Sequence, residues 1–440
     1  MPRRLAVLDT EPARRGPDRR IDRRLTFAGL IGAVIFLVAA LGSLALPPAA
    51  RLGIWLPLHL ALAGGAGTAI AAMVPFFVAA LAVAQPASPM LRGGSIALVA
   101  AGASMAALGR AVAMPEVAAL GAWLDVAGFA GVGLATAWPL RRAGGPRRPL
   151  TEAAYLAALA NVLMGVTLAG LFLGGMPAVT SSWGVLKPAH GWLNVFGFVC
   201  LVIAGTLVHF APTVAGSRIR RRPSSVMAIA GLAAGAPLVA LGYAAGAAIV
   251  AQLGALATLG GATALAIHGL QAHRDRAGWT TERAWHTITA GSLLFAPVWL
   301  VVAAAIAAAR LITYGVDPAG WRLSELVAPL VLGMVAQVLA GSLCFLVPAI
   351  SPGPPERHAR QRGRLGRFAN VRLTTLNGGV GLLTVAGVST LTGASNVAAS
   401  ALAALGAVGL LLAVGSIAAT LVLLVGAAVT RAVPVASPPP

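Results

Sequence analysis

The chain is short of charge. Only 10% of its 440 residues are Asp, Glu, Lys or Arg, against roughly a quarter in soluble domains. That is too little polar surface for a soluble globular enzyme. Lys187 is its only lysine, and 12 acidic residues face 32 basic ones. Cysteine is also scarce. Cys200 and Cys344 form no CxxC or CxxCH, which excludes a zinc ribbon and a c-type haem attachment site. Both fall inside apolar runs and read as small apolar filler. No phosphate-binding loop, HExxH, GxSxG or dinucleotide fingerprint occurs. Glycine-rich stretches such as "GGAGTA" lie within apolar runs, where glycine is a packing residue. No segment between runs is long enough for a soluble domain of its own.

Long apolar runs are what the chain has instead. Hydrophobic residues make up 58% of it, and the mean hydropathy is +0.86. A membrane-spanning helix needs about 20 apolar residues. Twelve such runs follow one another: 26–46, 55–84, 94–113, 117–138, 151–175, 188–213, 225–244, 247–270, 284–309, 324–350, 373–392 and 398–430. The expected fold is all-α, a polytopic membrane protein with about twelve transmembrane helices. The last run is long for one crossing, so tilt or extension past the bilayer is expected.

Charge orients the spans. With the N-terminus in the cytoplasm, 27 of the 32 basic residues fall in inner segments. The exceptions are Arg51, Arg110, Lys187, Arg310 and Arg322. This is a strong positive-inside asymmetry, and a missed or extra span would scramble it. The organisation expected is a cytoplasmic Arg-rich tail (1–25), one transmembrane domain (26–430) and a cytoplasmic tail (431–440), in the cell membrane. The arm "PRRLAVLDTEPARRGPDRRIDRR" alternates Arg with Asp and Glu and reads as a solvated tail. The first apolar run starts too late for a cleavable signal peptide. The net charge of +20 is thus an orientation signal and an attraction to anionic headgroups, with no nucleic-acid partner implied.

Part of the chain repeats. The pattern G-x7-G-[ST]-L-x4-P fits Gly197, Gly205, Thr206, Leu207 and Pro212 in span six. Without a gap it also fits Gly333, Gly341, Ser342, Leu343 and Pro348 in span ten. Span two carries Gly65, Gly67, Thr68 and Pro75 in a looser match that needs gaps. Spans two, six and ten are four apart, which predicts three pseudo-repeated units of four helices.

Such a layout resembles the haem-copper oxidase subunit I superfamily, cytochrome c oxidase and nitric oxide reductase catalytic subunits included. The nearer likeness is to its reduced relatives, the NnrS-type membrane haem proteins and the actinobacterial membrane proteins labelled copper oxidase or cytochrome c oxidase subunit I-like. "HGWLNVFGFVCLVIAGTLVHFAPTV" resembles the span-six segment of the latter group, "LHLALAGGAGTAI" its span two and "AQVLAGSLCFLVPAI" its span ten. The resemblance implies haem ligands on spans two and ten and copper ligands on spans six and seven. Here span two has His59 and span six has His190, but spans seven and ten have no histidine. A three-histidine copper site and the usual low-spin haem pair are therefore absent, and oxygen reduction at a binuclear centre is not expected. What remains implied is haem, or copper, held by His59 and His190. The role would be redox, electron-transferring or nitric oxide-related, with an extracytoplasmic copper redox protein as a partner.

His59 and His190 start their spans near the outer interface, and the alternative for them is bonding to backbone or water. Asn194 lies four residues beyond His190, on the same face, as an orienting group. Lys187 stands at the outer mouth, to contact a haem propionate or anchor the interface. His209 is 19 residues past His190, about 28 Å along a helix, so the two share no metal. With His268 and His286 it is a candidate second cluster at the inner face, as a second site or a proton path; the alternative is interfacial histidines. Arg110 and Asp125 are expected to pair inside the membrane, with a proton-pathway role as the alternative. Glu152 and Glu325 read as helix-start carboxylates, and Gln337 as packing glue across the bundle. Two other functions stay open: a secondary transporter of six-plus-six design, and a cofactor-free scaffold or assembly partner.

Overall fold

The computed structural model describes residues 20–143, 148–276, 278–279, 281–389 and 396–430. Residues 1–19 of the expected N-terminal tail, and the expected tail 431–440, lie outside the described residues. Among the described residues there is no β-strand, and twelve helices are long and apolar enough to span a membrane. They are α1 (Arg20–Ser43), α2 (Trp55–Leu81), α3 (Pro89–Ala111), α4 (Pro115–Arg142), α5 (Pro149–Leu173) and α6 (Trp183–Ala215). Then follow α7 (Pro223–Ala245), α8 (Ala248–Arg274), α9 (Arg283–Tyr314), α10 (Pro318–Ile350), α11 (Ala369–Val388) and α12 (Ala398–Ala428). Proline opens many of them, where a missing N–H is harmless. The protein is an all-α polytopic membrane protein.

The chain forms two compact units, Met1–Arg148 and Pro149–Pro440. The first holds α1–α4 and the second α5–α12. Packing inside the units repeats every four helices. Each repeat begins with a crossed pair. In the first, Gly29 of α1 meets Ala72 of α2; a Cβ on Gly29 would stand 2.6 Å from Ala72 Cβ. In the second, Ala154 of α5 meets Gly205 of α6, again 2.6 Å from a Cβ built there. In the third, Ser292 of α9 meets Gly341 of α10 at 2.7 Å. Two turns along, Phe36, Asn161 and Trp299 lie against Gly64, Gly197 and Gly333 respectively. The intervals match throughout: seven residues along the first helix of each pair and eight along the second.

A second, tighter pair completes each repeat. A Cβ on Gly102 (α3) would stand 2.7 Å from Gly121 O and 2.6 Å from Asp125 N of α4. On Gly235 (α7) it would stand 2.7 Å from Gly254 O and 2.9 Å from Thr258 N of α8. On Gly379 (α11) it would stand 2.6 Å from Gly409 O and 2.7 Å from Ala413 N of α12. Only glycine lets two backbones approach this closely, and in lipid that dispersion contact is what holds helices together.

The register of α2 differs from the expected one. Gly64, not Gly65 or Gly67, stands where Gly197 and Gly333 stand. From Gly64 to Gly128 the first repeat then follows the second at a constant 133 residues. Ala100-Ala101-Gly102-Ala103 matches Ala233-Ala234-Gly235-Ala236, and Leu120-Gly121-Ala122 matches Leu253-Gly254-Ala255. At this spacing Pro75 has no proline counterpart in the second repeat, where Val208 stands.

The backbone repeats too. Among the described residues π-helical turns occur in three places: Leu60–Ala66 of α2, Val195–Cys200 of α6 and Ala328–Ala336 of α10. Cys200 and Ala336, where the last two end, are separated by the 136 residues of the sequence repeat. Such turns leave a carbonyl without its helical donor and gather at functional positions. Asn161 Nδ2 donates to Gly197 O at 2.9 Å, within the π-helical turn of α6.

The helical start of α1 corrects the expected tail. Residues 20–24 are helical, and Asp22 is buried against Arg92 of α3 as an ion pair. Arg92 also donates to Ala72 O at 2.9 Å and Thr26 Oγ1 at 3.1 Å. Alternating charge in the arm masked one acidic residue with an interior partner.

Gln337 does not glue the bundle as expected. It is fully buried on α10, and neither amide atom has a hydrogen-bond partner among the described residues. Its place in the second repeat belongs to the buried Leu201. Burying an unpaired amide costs about 1–3 kcal/mol. Gln337→Leu is expected to raise the thermal unfolding temperature in detergent; an unchanged or lowered value would mean the amide has a partner.

Candidate functional site

Span α6 is the most polar at its N-terminal end, and the polarity is organised around His190. The ring Nδ1 lies 2.9 Å from the carbonyl of Gly165 on α5. A carbonyl only accepts, so Nδ1 carries the hydrogen and Nε2 carries the lone pair. Asn194 sits one turn on, as expected. Its Nδ2 donates to His190 O at 2.8 Å and lies 3.2 Å from His190 Nδ1. Gly165 makes room for it, since a Cβ there would stand 2.7 Å from Asn194 Oδ1. On the other side Trp321, from the start of α10, covers Gly191. Trp183 approaches the imidazole at 5.9 Å. This carbonyl-anchored imidazole is the arrangement in which ligating histidines are held. Lys187 is exposed at the same end.

His59 is held in a similar way but by its own helix. Its Nδ1 lies 2.8 Å from Trp55 O, and its ring stacks on Trp55 at 4.0 Å. It belongs to the first compact unit and His190 to the second. The two are not repeat equivalents. His59 precedes Gly64 by five residues, whereas His190 precedes Gly197 by seven. Two residues rotate a helical side chain by about half a turn, so the two rings leave their helices on different faces.

Of the three further histidines, His268 and His286 make contacts of their own. His268 Nε2 donates to Val208 O at 3.1 Å and ties α8 to α6. His286 stacks on Trp279 at 4.9 Å, and His273 meets the edge of that same indole at 5.6 Å. His209 is half-buried on α6. Among the described residues no three His, Cys, Asp or Glu side chains group closely enough to hold a metal ion. His209, His268 and His286 therefore do not make a three-ligand centre. Trp279 was missed in the sequence because it lies in a loop, with nothing local to show that two imidazoles flank it.

The expected ion pair of Arg110 with Asp125 is absent. Arg110 is exposed, while Asp125 is buried against Gly102. The reason is register. Gly102, which the Asp125 carboxyl packs against, lies eight residues from Arg110 on α3, a rise of about 12 Å along the backbone. Glu325 is at a helix start as expected, but it also has a partner, taking a two-pronged contact from Arg310. Together with Arg322, Trp192, Trp321 and Tyr243 they line a small cleft in the second unit, with room for little more than a water molecule.

No protein-family model matches the chain, and no curated protein matches it.

Proposed function

We propose that this membrane protein binds haem, which His190 would hold, and serves a redox, electron-transferring or nitric oxide-related role without a binuclear oxygen-reducing centre. The observation that carries the reading is His190. Its Nδ1–H is fixed by Gly165 O and attended by Asn194, which leaves Nε2 as the donor atom. His59, with Nδ1 on Trp55 O, is the candidate donor of the first unit. An imidazole anchored in this way would present its other nitrogen as a donor to a haem iron. Copper needs several imidazoles or thiolates, and no three-residue donor group supports it among the described residues. Bound haem would supply one-electron chemistry or a gas-binding iron; the chain's own part is to fix the imidazole and to keep the site within the membrane.

The packing registers bear on the rivals. A six-plus-six transporter relates spans one to six with seven to twelve. The glycine contacts relate helices four apart instead. A cofactor-free scaffold is the reading left if haem is absent.

The test is a reduced-minus-oxidised visible spectrum of the purified full-length protein, expressed with haem and copper supplied, with metal analysis on the same sample. A haem spectrum lost in His190→Ala is the expected result. His59→Ala, read alone, reports whether the first unit holds a donor of its own. A flat spectrum with no bound iron would overturn the haem reading.

A further inference from the structure

We propose that Asp125 is a proton-binding site within α4, where a carboxylic acid O–H replaces a hydroxyl that the same fold uses one repeat later. The three repeats supply the comparison. Asp125, Thr258 and Ala413 occupy one place, four residues beyond Gly121, Gly254 and Gly409 at the tight crossing of the second helix pair. All three are buried. Thr258 Oγ1 donates to Gly254 O at 3.0 Å, and alanine at 413 has nothing to satisfy. The crossing therefore forms without a carboxyl, and packing alone does not account for Asp125.

The chemistry of the place then selects the ligand. Asp125 is 6% exposed, and its Oδ1 has no hydrogen-bond partner among the described residues. Oδ1 and Gly121 O lie 2.8 and 2.7 Å from the same point, where a Cβ on Gly102 would stand. A carboxylate has no hydrogen to give that carbonyl. A carboxylic acid has one, and donating it reproduces the Thr258–Gly254 bond. Among the described residues Asp125 has no ion-pair partner: Glu116 lies nine residues before it on α4, Arg110 and Arg92 lie eight and ten residues from Gly102 on α3, and His59 on α2 adjoins Leu60, which shares a packed cluster with Ala103. Arg92 is committed to Asp22. A lone carboxylate in hydrocarbon needs a counter-cation or a bound proton. Metal cations need several oxygen ligands, and no group of three candidate ligands exists among the described residues. The proton is the ligand that fits.

The experiment is infrared spectroscopy of the full-length protein in lipid at neutral pH, wild type against Asp125→Thr. The variant installs the residue that the second repeat carries. The expected result is a protonated-carboxyl C=O band in the wild type that disappears in the variant. No such band, or one that persists in the variant, would overturn the proposal. Thermal unfolding of the same samples separates a structural role. Asp125→Thr is expected to melt within a few degrees of wild type, and a fall of more than about 5 °C would mean a structural carboxylate and overturn the proposal as well.

Discussion

Asp22→Ala is expected to be among the most destabilising single substitutions in the first unit. Arg92 is 1% exposed and takes its only carboxylate from Asp22 among the described residues. The variant leaves the guanidinium with neutral partners, Thr26 Oγ1 and Ala72 O, and an uncompensated buried charge. Breaking one side of such a pair costs about 3–5 kcal/mol. A fall in unfolding temperature of roughly 3–5 °C follows for a chain of this size. The double variant Asp22→Leu/Arg92→Met removes both charges at similar volume. It is expected to recover most of the loss, because a buried pair and an apolar pair are close in free energy. If the single and double variants melt together, the pair contributes nothing and the account of α1 is wrong.

Gly242→Ala should have a comparable effect in the second unit. A Cβ there would stand 2.5–2.7 Å from Ala251 N, Cβ and Cα. The obstacle is mostly backbone, so no rotamer change relieves it, and α7 and α8 must part along their crossing. Overpacking of this kind costs about 1–3 kcal/mol. Gly260→Ala is the control on the same helix pair. Nothing lies within 4 Å of a Cβ at Gly260, so the gain in helix propensity, up to about 1 kcal/mol, is all that remains. Thermal unfolding of both variants in detergent should move in opposite directions. Equal shifts would mean that α7 and α8 do not meet at Gly242.

Much of the architecture was open to reading in the sequence. Runs of about 20 apolar residues with few charges have one stable form in a bilayer, a helix whose backbone satisfies itself. The fold class and the number of spans followed from that constraint alone. The gapless glycine pattern shared by spans six and ten also held, because a close helix approach tolerates almost no other residue. The site was legible in part. His190 and Asn194 proved to be neighbours because one helical turn brings them together.

What the tertiary structure decided is which polar residues have partners, and where each repeat is in register. Local pattern assigned Asp125 to Arg110, yet the crossing at Gly102 sets the carboxyl two turns away from it. It assigned Asp22 to solvent, yet α3 brings Arg92 to it. It placed His59 and His190 alike at the starts of their spans, yet measured from Gly64 and Gly197 they stand two residues out of register. The physical reason is common to all of these. Hydrophobicity and helix propensity act along the chain and can be summed from sequence. Pairing of buried polar groups depends on distances between helices, and those are set by a few glycine contacts between residues remote in the chain.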